Sequence, residues 1–276
     1  MTAERITFIG GGNMASSLIG GLVADGYDPQ SLTVSEPDPA KRDALAQRFG
    51  VRTCAGNIEA LAGAGTAVLC VKPQAARQVC REIADSVVRE TPLLVSIMAG
   101  ITEASIQAWI GYAAAVVRTM PNTPAMIQSG AIAMHASPEV DSEQRNRAET
   151  IMRACGLARW VANEALVDVA TAVSGSGPAY FFRLMEAVEQ AGIALGLDPE
   201  DARLLTIQTA LGAARMAIES DDPPERLRER VTSPGGTTER ALSILDEGGF
   251  GPLVERAVGA AQQRAVEISR LLAEEA

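Results

Sequence analysis

Short β-rich runs alternate with helical stretches through the first half of the chain. Residues 6–9 carry no charge and stop at Gly10-Gly11-Gly12, which predicts a strand. Residues 13–24 are small and apolar throughout and predict a helix. Residues 31–35 predict a second strand, and 39–49 a helix stopped by Gly50. Further strands are expected over 51–54, over 67–71 before Pro73, and over 93–97 before Gly100. Two more are expected over 114–120 before Pro121 and over 131–135. Strands alternating with helices imply parallel βαβ units and a doubly wound sheet, an α/β architecture.

The pattern changes after about residue 160. From Asp168 onward there is little strand signal. Residues 179–195 predict a helix entered through Pro178 and stopped by Gly196. Residues 199–219 predict an Ala-rich helix. Over 253–272, Leu253, Val254, Ala257, Val258, Ala261, Ala265, Ile268, Leu271 and Leu272 fall on one helical face. Two domains are therefore expected, 1–162 and 163–276. Residues 204–217 are apolar on several sides and hold one charge, Arg215. So small a helical domain can hardly surround such a helix. A subunit interface in a symmetric homo-oligomer is expected, with a central core helix as the alternative.

The formal net charge is -10, from 34 acids against 24 bases. That balance argues against a nucleic-acid partner. His135 is the single histidine, and Lys41 and Lys72 are the only lysines; His135 reads as a structural or surface residue. No multi-histidine metal site is possible, and no metal is expected. The four cysteines, Cys54, Cys70, Cys80 and Cys155, form no C-x-x-C pair and read as reduced thiols. No run reads as a membrane span or a cleavable leader, so a cytoplasmic protein without a membrane partner is expected.

Gly10-Gly11-Gly12-Asn13-Met14-Ala15 fits G-x-G-x-x-A between a strand and a helix. Gly10 permits the turn, Gly12 admits a pyrophosphate, and Ala15 lets helix and sheet pack closely. The helix start offers donors to phosphate. The second strand ends Ser35-Glu36-Pro37-Asp38. Glu36 suits a ribose diol, whereas Ser35, Lys41 and Arg42 suit a 2′-phosphate, so NADH and NADPH both stay open. Val71-Lys72-Pro73 ends the central strand and should line the cofactor crevice. Asn122, in Arg118-Thr119-Met120-Pro121-Asn122-Thr123-Pro124, suits a cofactor amide or a loop carbonyl. Ser174-Gly175-Ser176-Gly177-Pro178 opens the long helix, as an active-site wall or a close helix contact. Val231-Thr232-Ser233-Pro234-Gly235-Gly236-Thr237-Thr238 precedes another helix. Its amides and hydroxyls suit a carboxylate, or simply a capped helix start.

Taken in order, G-G-G-N-M-A, V-K-P-Q, R-T-M-P-N-T-P, V-S-G-S-G-P-A-Y and V-T-S-P-G-G-T-T-E-R-A-L closely resemble the pyrroline-5-carboxylate reductase family, from about Ile6 to Phe250. The resemblance implies reduction of 1-pyrroline-5-carboxylate to L-proline, the last step of proline biosynthesis, by NADPH or NADH. It implies a Rossmann-type domain followed by an all-α domain that dimerises, often within rings of dimers. Cofactor residues matched by position are Gly10, Gly11, Gly12, Asn13, Met14, Ala15, Glu36, Asn57, Val71, Lys72, Pro73 and Ala99. Ser233, Gly235, Gly236, Thr237 and Thr238 match the substrate loop, with Thr238 as the catalytic hydroxyl. Glu164 falls where an acid meets the substrate ring nitrogen. Many members prefer NADPH and carry a small or basic residue where Glu36 stands.

The chemistry suits a chain so poor in titrating groups. A protonated cyclic imine accepts hydride directly and needs orientation and one hydrogen-bond partner at nitrogen, not a strong acid. A β-hydroxyacid dehydrogenase would need a lysine in the helical domain, and none follows Lys72. A non-catalytic dinucleotide sensor would need the first glycine motif but not the 231–238 loop.

Overall fold

Strand β1 (Ile6–Ile9) is buried at all four positions, as a strand covered on both faces must be. This is a computed structural model describing residues 4–274. After β1 come α1 (Asn13–Ala24), β2 (Leu32–Ser35), α2 (Pro39–Phe49), β3 (Arg52–Cys54), α3 (Asn57–Leu61) and β4 (Thr66–Leu69). Next are α4 (Ala76–Glu90), β5 (Leu93–Ser96), α5 (Glu103–Ile110), β6 (Val116–Met120), β7 (Gly130–Ala136), α6 (Ser142–Arg153) and β8 (Gly156–Trp160). The strands form one eight-stranded sheet in the order β3-β2-β1-β4-β5-β6-β7-β8. The order reverses between β1 and β4, so a crevice opens at the carboxyl ends of these two strands.

Side chains alternate between two cores, one on each face of the sheet. Ile6, Phe8 and Val117 join α1 and α6 residues such as Leu18, Leu22 and Ile151. Ile9, Leu69 and Val116 join α4 and α5 residues such as Ile83 and Ile106. Fully burying each large aliphatic is worth about 1.5–3 kcal/mol, so these layers hold the sheet in register. Local signals fix the helix ends. Asp38 accepts from Ala40 N at 2.9 Å, Pro39 follows it, and Gly50 closes α2 in the left-handed region at φ 71°. Asp141 and Gln144 form a reciprocal capping box on α6.

The sheet departs from the all-parallel expectation at one seam. β6 and β7 run antiparallel, with Arg118 opposite His135. The connection from Met120 to Gly130 holds only a 3-10 turn, Thr123–Ile127, and no crossover helix. A parallel return needs such a crossover. Strand β8, which the sequence pattern did not predict, then pairs parallel with β7 at the sheet edge. Its Leu157 and Arg159 are exposed, so its apolar pattern is weak.

Beyond β8 the chain is helical: α7 (Ala165–Ala170), a π turn (Thr171–Gly175), α8 (Gly177–Ala194), α9 (Pro199–Glu219), α10 (Pro224–Arg230), α11 (Thr237–Glu247) and α12 (Phe250–Glu274). By contact density there are two units. One holds the described residues up to Ser176 and from Ala261 on; the other is Gly177–Ala260. Within the second unit only Gly177 and Ala202 are buried. Leu204, Leu205, Ile207, Leu211 and Met216 on α9 are exposed in the single chain, as are Phe181, Phe182 and Leu184 on α8. A groove of about 330 Å³ lined by Phe181, Leu184, Val188, Leu197 and Leu205 runs between these helices. No helix among the described residues is long and apolar enough to cross a membrane.

Candidate functional site

At the end of β1 the backbone turns at Gly10, whose φ of +101° favours glycine. A Cβ there would stand 2.9 Å from Cys70 O, at the end of β4. Gly10 N donates to Ser35 O at 2.9 Å and Cys70 N to Ile9 O at 2.8 Å, which ties the three strand ends together. A Cβ on Gly12 would meet nothing within 4 Å. Gly12 is also the N-cap of α1, and no side chain caps that helix start. An open backbone beside uncapped helix donors, at the reversal of strand order, fits a dinucleotide pyrophosphate. Ala15, next along, is fully buried against the sheet.

The end of β2 is heavily bonded. Glu36 is buried; its Oε2 accepts from Gly11 N at 3.0 Å and its Oε1 from Asp38 N at 3.1 Å. Ser35 Oγ donates to Asn57 Oδ1 at 2.7 Å, and Asn57 Nδ2 donates to both carboxylate oxygens of Glu82, at 3.2 and 3.1 Å. The Arg42 guanidinium turns back onto Glu36 O and Pro37 O, at 2.7 and 2.9 Å. On the β4 side, Lys72 is exposed and precedes a 3-10 turn that starts at Pro73. Ala99, past the end of β5, is exposed. A cavity of about 430 Å³ along α1, beside Phe49 and Met126, touches the glycine loop only at Asn13 and is not this crevice.

Asn122 serves the fold. Its Oδ1 accepts from Ala131 N and its Nδ2 donates to Ser174 O, both at 2.9 Å. Ser174 itself donates to Ala170 O, and Ser176 N reaches Thr171 O at 2.8 Å, the five-residue bond of the π turn.

A charge cluster lies where sequence reasoning had marked only Glu164 and His135. Arg118 on β6, 2% exposed, donates to Asp168 Oδ1 at 2.6 Å and to Glu164 Oε1 at 3.2 Å. Glu164 Oε1 also accepts from Glu103 N at 2.8 Å, at the start of α5. His135 Nδ1 lies 2.7 Å from Glu103 Oε1. Burial pushes the Glu103 carboxyl above its ordinary range; the Glu164 charge adds to this, and the His135 hydrogen bond opposes it. Glu164 is thus engaged in joining α5, β6 and α7. The signal for this cluster was an arginine inside an apolar strand, which must find partners when buried.

In the second unit, Gly235 turns at φ 72° ahead of α11. Gly235 N donates to Glu239 Oε2 at 2.7 Å and Gly236 N to Ser233 O at 2.9 Å. Gly236 is the N-cap, and no side chain caps α11. The backbone donors available to a ligand are therefore those of Thr237, Thr238 and Glu239, beside the hydroxyls of Ser233, Thr237 and Thr238. Cys80 and Cys155 are buried, and burial pushes their thiols up to about 12 and about 11, so neither is a nucleophile. Among the described residues no His, Cys, Asp and Glu group has metal-binding geometry.

Two family models match the chain. Residues 164–268 match the family model described as pyrroline-5-carboxylate reductase dimerisation. Residues 5–100 match the model described as NADP oxidoreductase coenzyme F420-dependent. A pyrroline-5-carboxylate reductase of Pseudomonas aeruginosa is 48% identical over 272 residues, covering 99% of each chain. The solved structure of a pyrroline-5-carboxylate reductase from Coxiella burnetii is 44% identical and has a TM-score of 0.94, covering 97% of this chain and 99% of that one. A Plasmodium falciparum pyrroline carboxylate reductase with NADP bound is 28% identical with a TM-score of 0.84, covering 98% and 99%.

Proposed function

The chain belongs to the pyrroline-5-carboxylate reductase family, and from that premise we propose that it reduces 1-pyrroline-5-carboxylate to L-proline with NADPH or NADH, the last step of proline biosynthesis. Residues 1–162 form the dinucleotide-binding domain and 163–276 the substrate-binding and dimerisation domain. The cofactor is held by Gly10–Ala15, Ser35, Glu36, Asn57, Val71, Lys72, Pro73 and Ala99. When bound, its reduced nicotinamide supplies the hydride.

The substrate loop carries the rest. Ser233, Gly235, Gly236 and Thr237 shape a seat for the substrate carboxylate, and the first-turn amides of α11 bind it. That uncapped helix start, alongside two threonine hydroxyls, is the observation that carries the reading. Thr238 hydrogen-bonds the ring nitrogen and holds its proton as the neighbouring carbon takes hydride. The iminium is already electrophilic, so no lysine or histidine is required. Two protomers join through α8 and α9, and dimers can build a ring. The protein works in the cytoplasm.

Replacing Thr238 tests this assignment. Thr238→Ala should lower kcat by about 10²-fold, the smaller end of acid-base contributions, while NADH binding is unchanged by calorimetry. An unchanged kcat removes Thr238 from the mechanism.

A further inference from the structure

The groups at the end of β2 bear on which dinucleotide is chosen. Four side chains there are candidates to meet a 2′-phosphate: Ser35, Lys41, Arg42 and Asn57. Three already have partners in the fold. The single Ser35 hydroxyl proton goes to Asn57 Oδ1. Asn57 Nδ2 faces the Glu82 carboxylate. Arg42 Nη1 holds two backbone carbonyls, those of Glu36 and Pro37. Lys41, exposed in the first turn of α2, and the Nε and Nη2 donors of Arg42 are left to meet a phosphate, and neither group removes the fixed Glu36 carboxylate beside it.

Glu36 works in the opposite direction. Its carboxylate is pinned by two backbone donors, one of them Gly11 N inside the glycine loop itself. A carboxylate has about four acceptor positions, so two remain for the vicinal hydroxyls of a ribose. Being buried and held from both oxygens, it cannot swing aside for a second anion. The Glu82 carboxylate on Asn57 adds negative charge on the same side.

We infer that this chain selects NADH over NADPH, with Glu36 as the specificity-determining residue. The inference rests on reading the glycine loop as the dinucleotide site, and it deepens that reading. A dianionic phosphate brought beside a fixed carboxylate is repelled, whereas a diol is bound by it.

Equilibrium titration of the full chain with NADH and with NADPH, without substrate, tests this apart from turnover. NADH should bind about tenfold more tightly than NADPH at moderate salt. Glu36→Gln, which removes the charge but keeps the shape, should weaken NADH, tighten NADPH and bring the ratio near one. Glu36→Asp retains the charge and should keep the NADH preference, which separates charge from loop damage. Equal or tighter binding of NADPH by the unmodified chain would overturn the inference while leaving the dinucleotide reading intact. Binding of neither nucleotide would overturn both.

Discussion

A buried arginine among three carboxyl groups has few ways to be stable. Arg118 meets Asp168 and Glu164 directly, and Glu103 closes the group through its own N–H and through His135. Removing one partner of such a cluster leaves the others charged and poorly solvated. Arg118→Met should therefore lower the unfolding free energy by about 3–5 kcal/mol, as read from urea denaturation. A loss of the size typical for surface pairs, below about 1 kcal/mol, would mean that water reaches the cluster and shares the load. Glu36 shows the same logic at smaller scale. The residue proposed as the ribose ligand is also the brace of Gly11.

Between elements, most of the first half was legible in the pattern. β1, α1, α2 and the central strands lie where alternation and turn residues placed them, because buried parallel strands leave charge-free runs and helices end at glycines. The reversal at β7 was hidden. Nothing in the apolar pattern of Gly130–Ala136 specifies strand direction; the short link after Met120 does. β8 was hidden because an edge strand buries little, and Leu157 faces outward. In the glycine loop the turn at Gly10, the open space at Gly12 and the close packing of Ala15 were legible, whereas the bond from Gly11 to Glu36 was not. Partners of Glu164, Asn122 and Arg42 were not legible. Side chains that return to backbone carbonyls or bridge distant strands leave no local spacing signal.

At the scale of the whole molecule, the second unit has too little core of its own. Between Gly177 and Ala260 only two small residues are buried, while aliphatic side chains of α9 and both phenylalanines of α8 are exposed. Contiguous apolar surface of that kind marks a protein interface, and the dimerisation model matches this stretch. Light scattering should show a dimer or a multiple of it at micromolar concentration. Leu205→Asp, exposed in the single chain, should leave the first unit folded and shift the protein toward monomer. A variant that stays fully dimeric would place the interface elsewhere.

The proposed reaction can be followed in a cuvette. Purified protein is mixed with NADH, and separately with NADPH, and 1-pyrroline-5-carboxylate is added. Rapid loss of the reduced-nicotinamide absorbance is expected, with proline formed in equal amount and faster loss with NADH at limiting cofactor. Folded protein that binds the dinucleotide and consumes neither cofactor would contradict the proposed reaction, and would return the glycine loop to the role of a sensor.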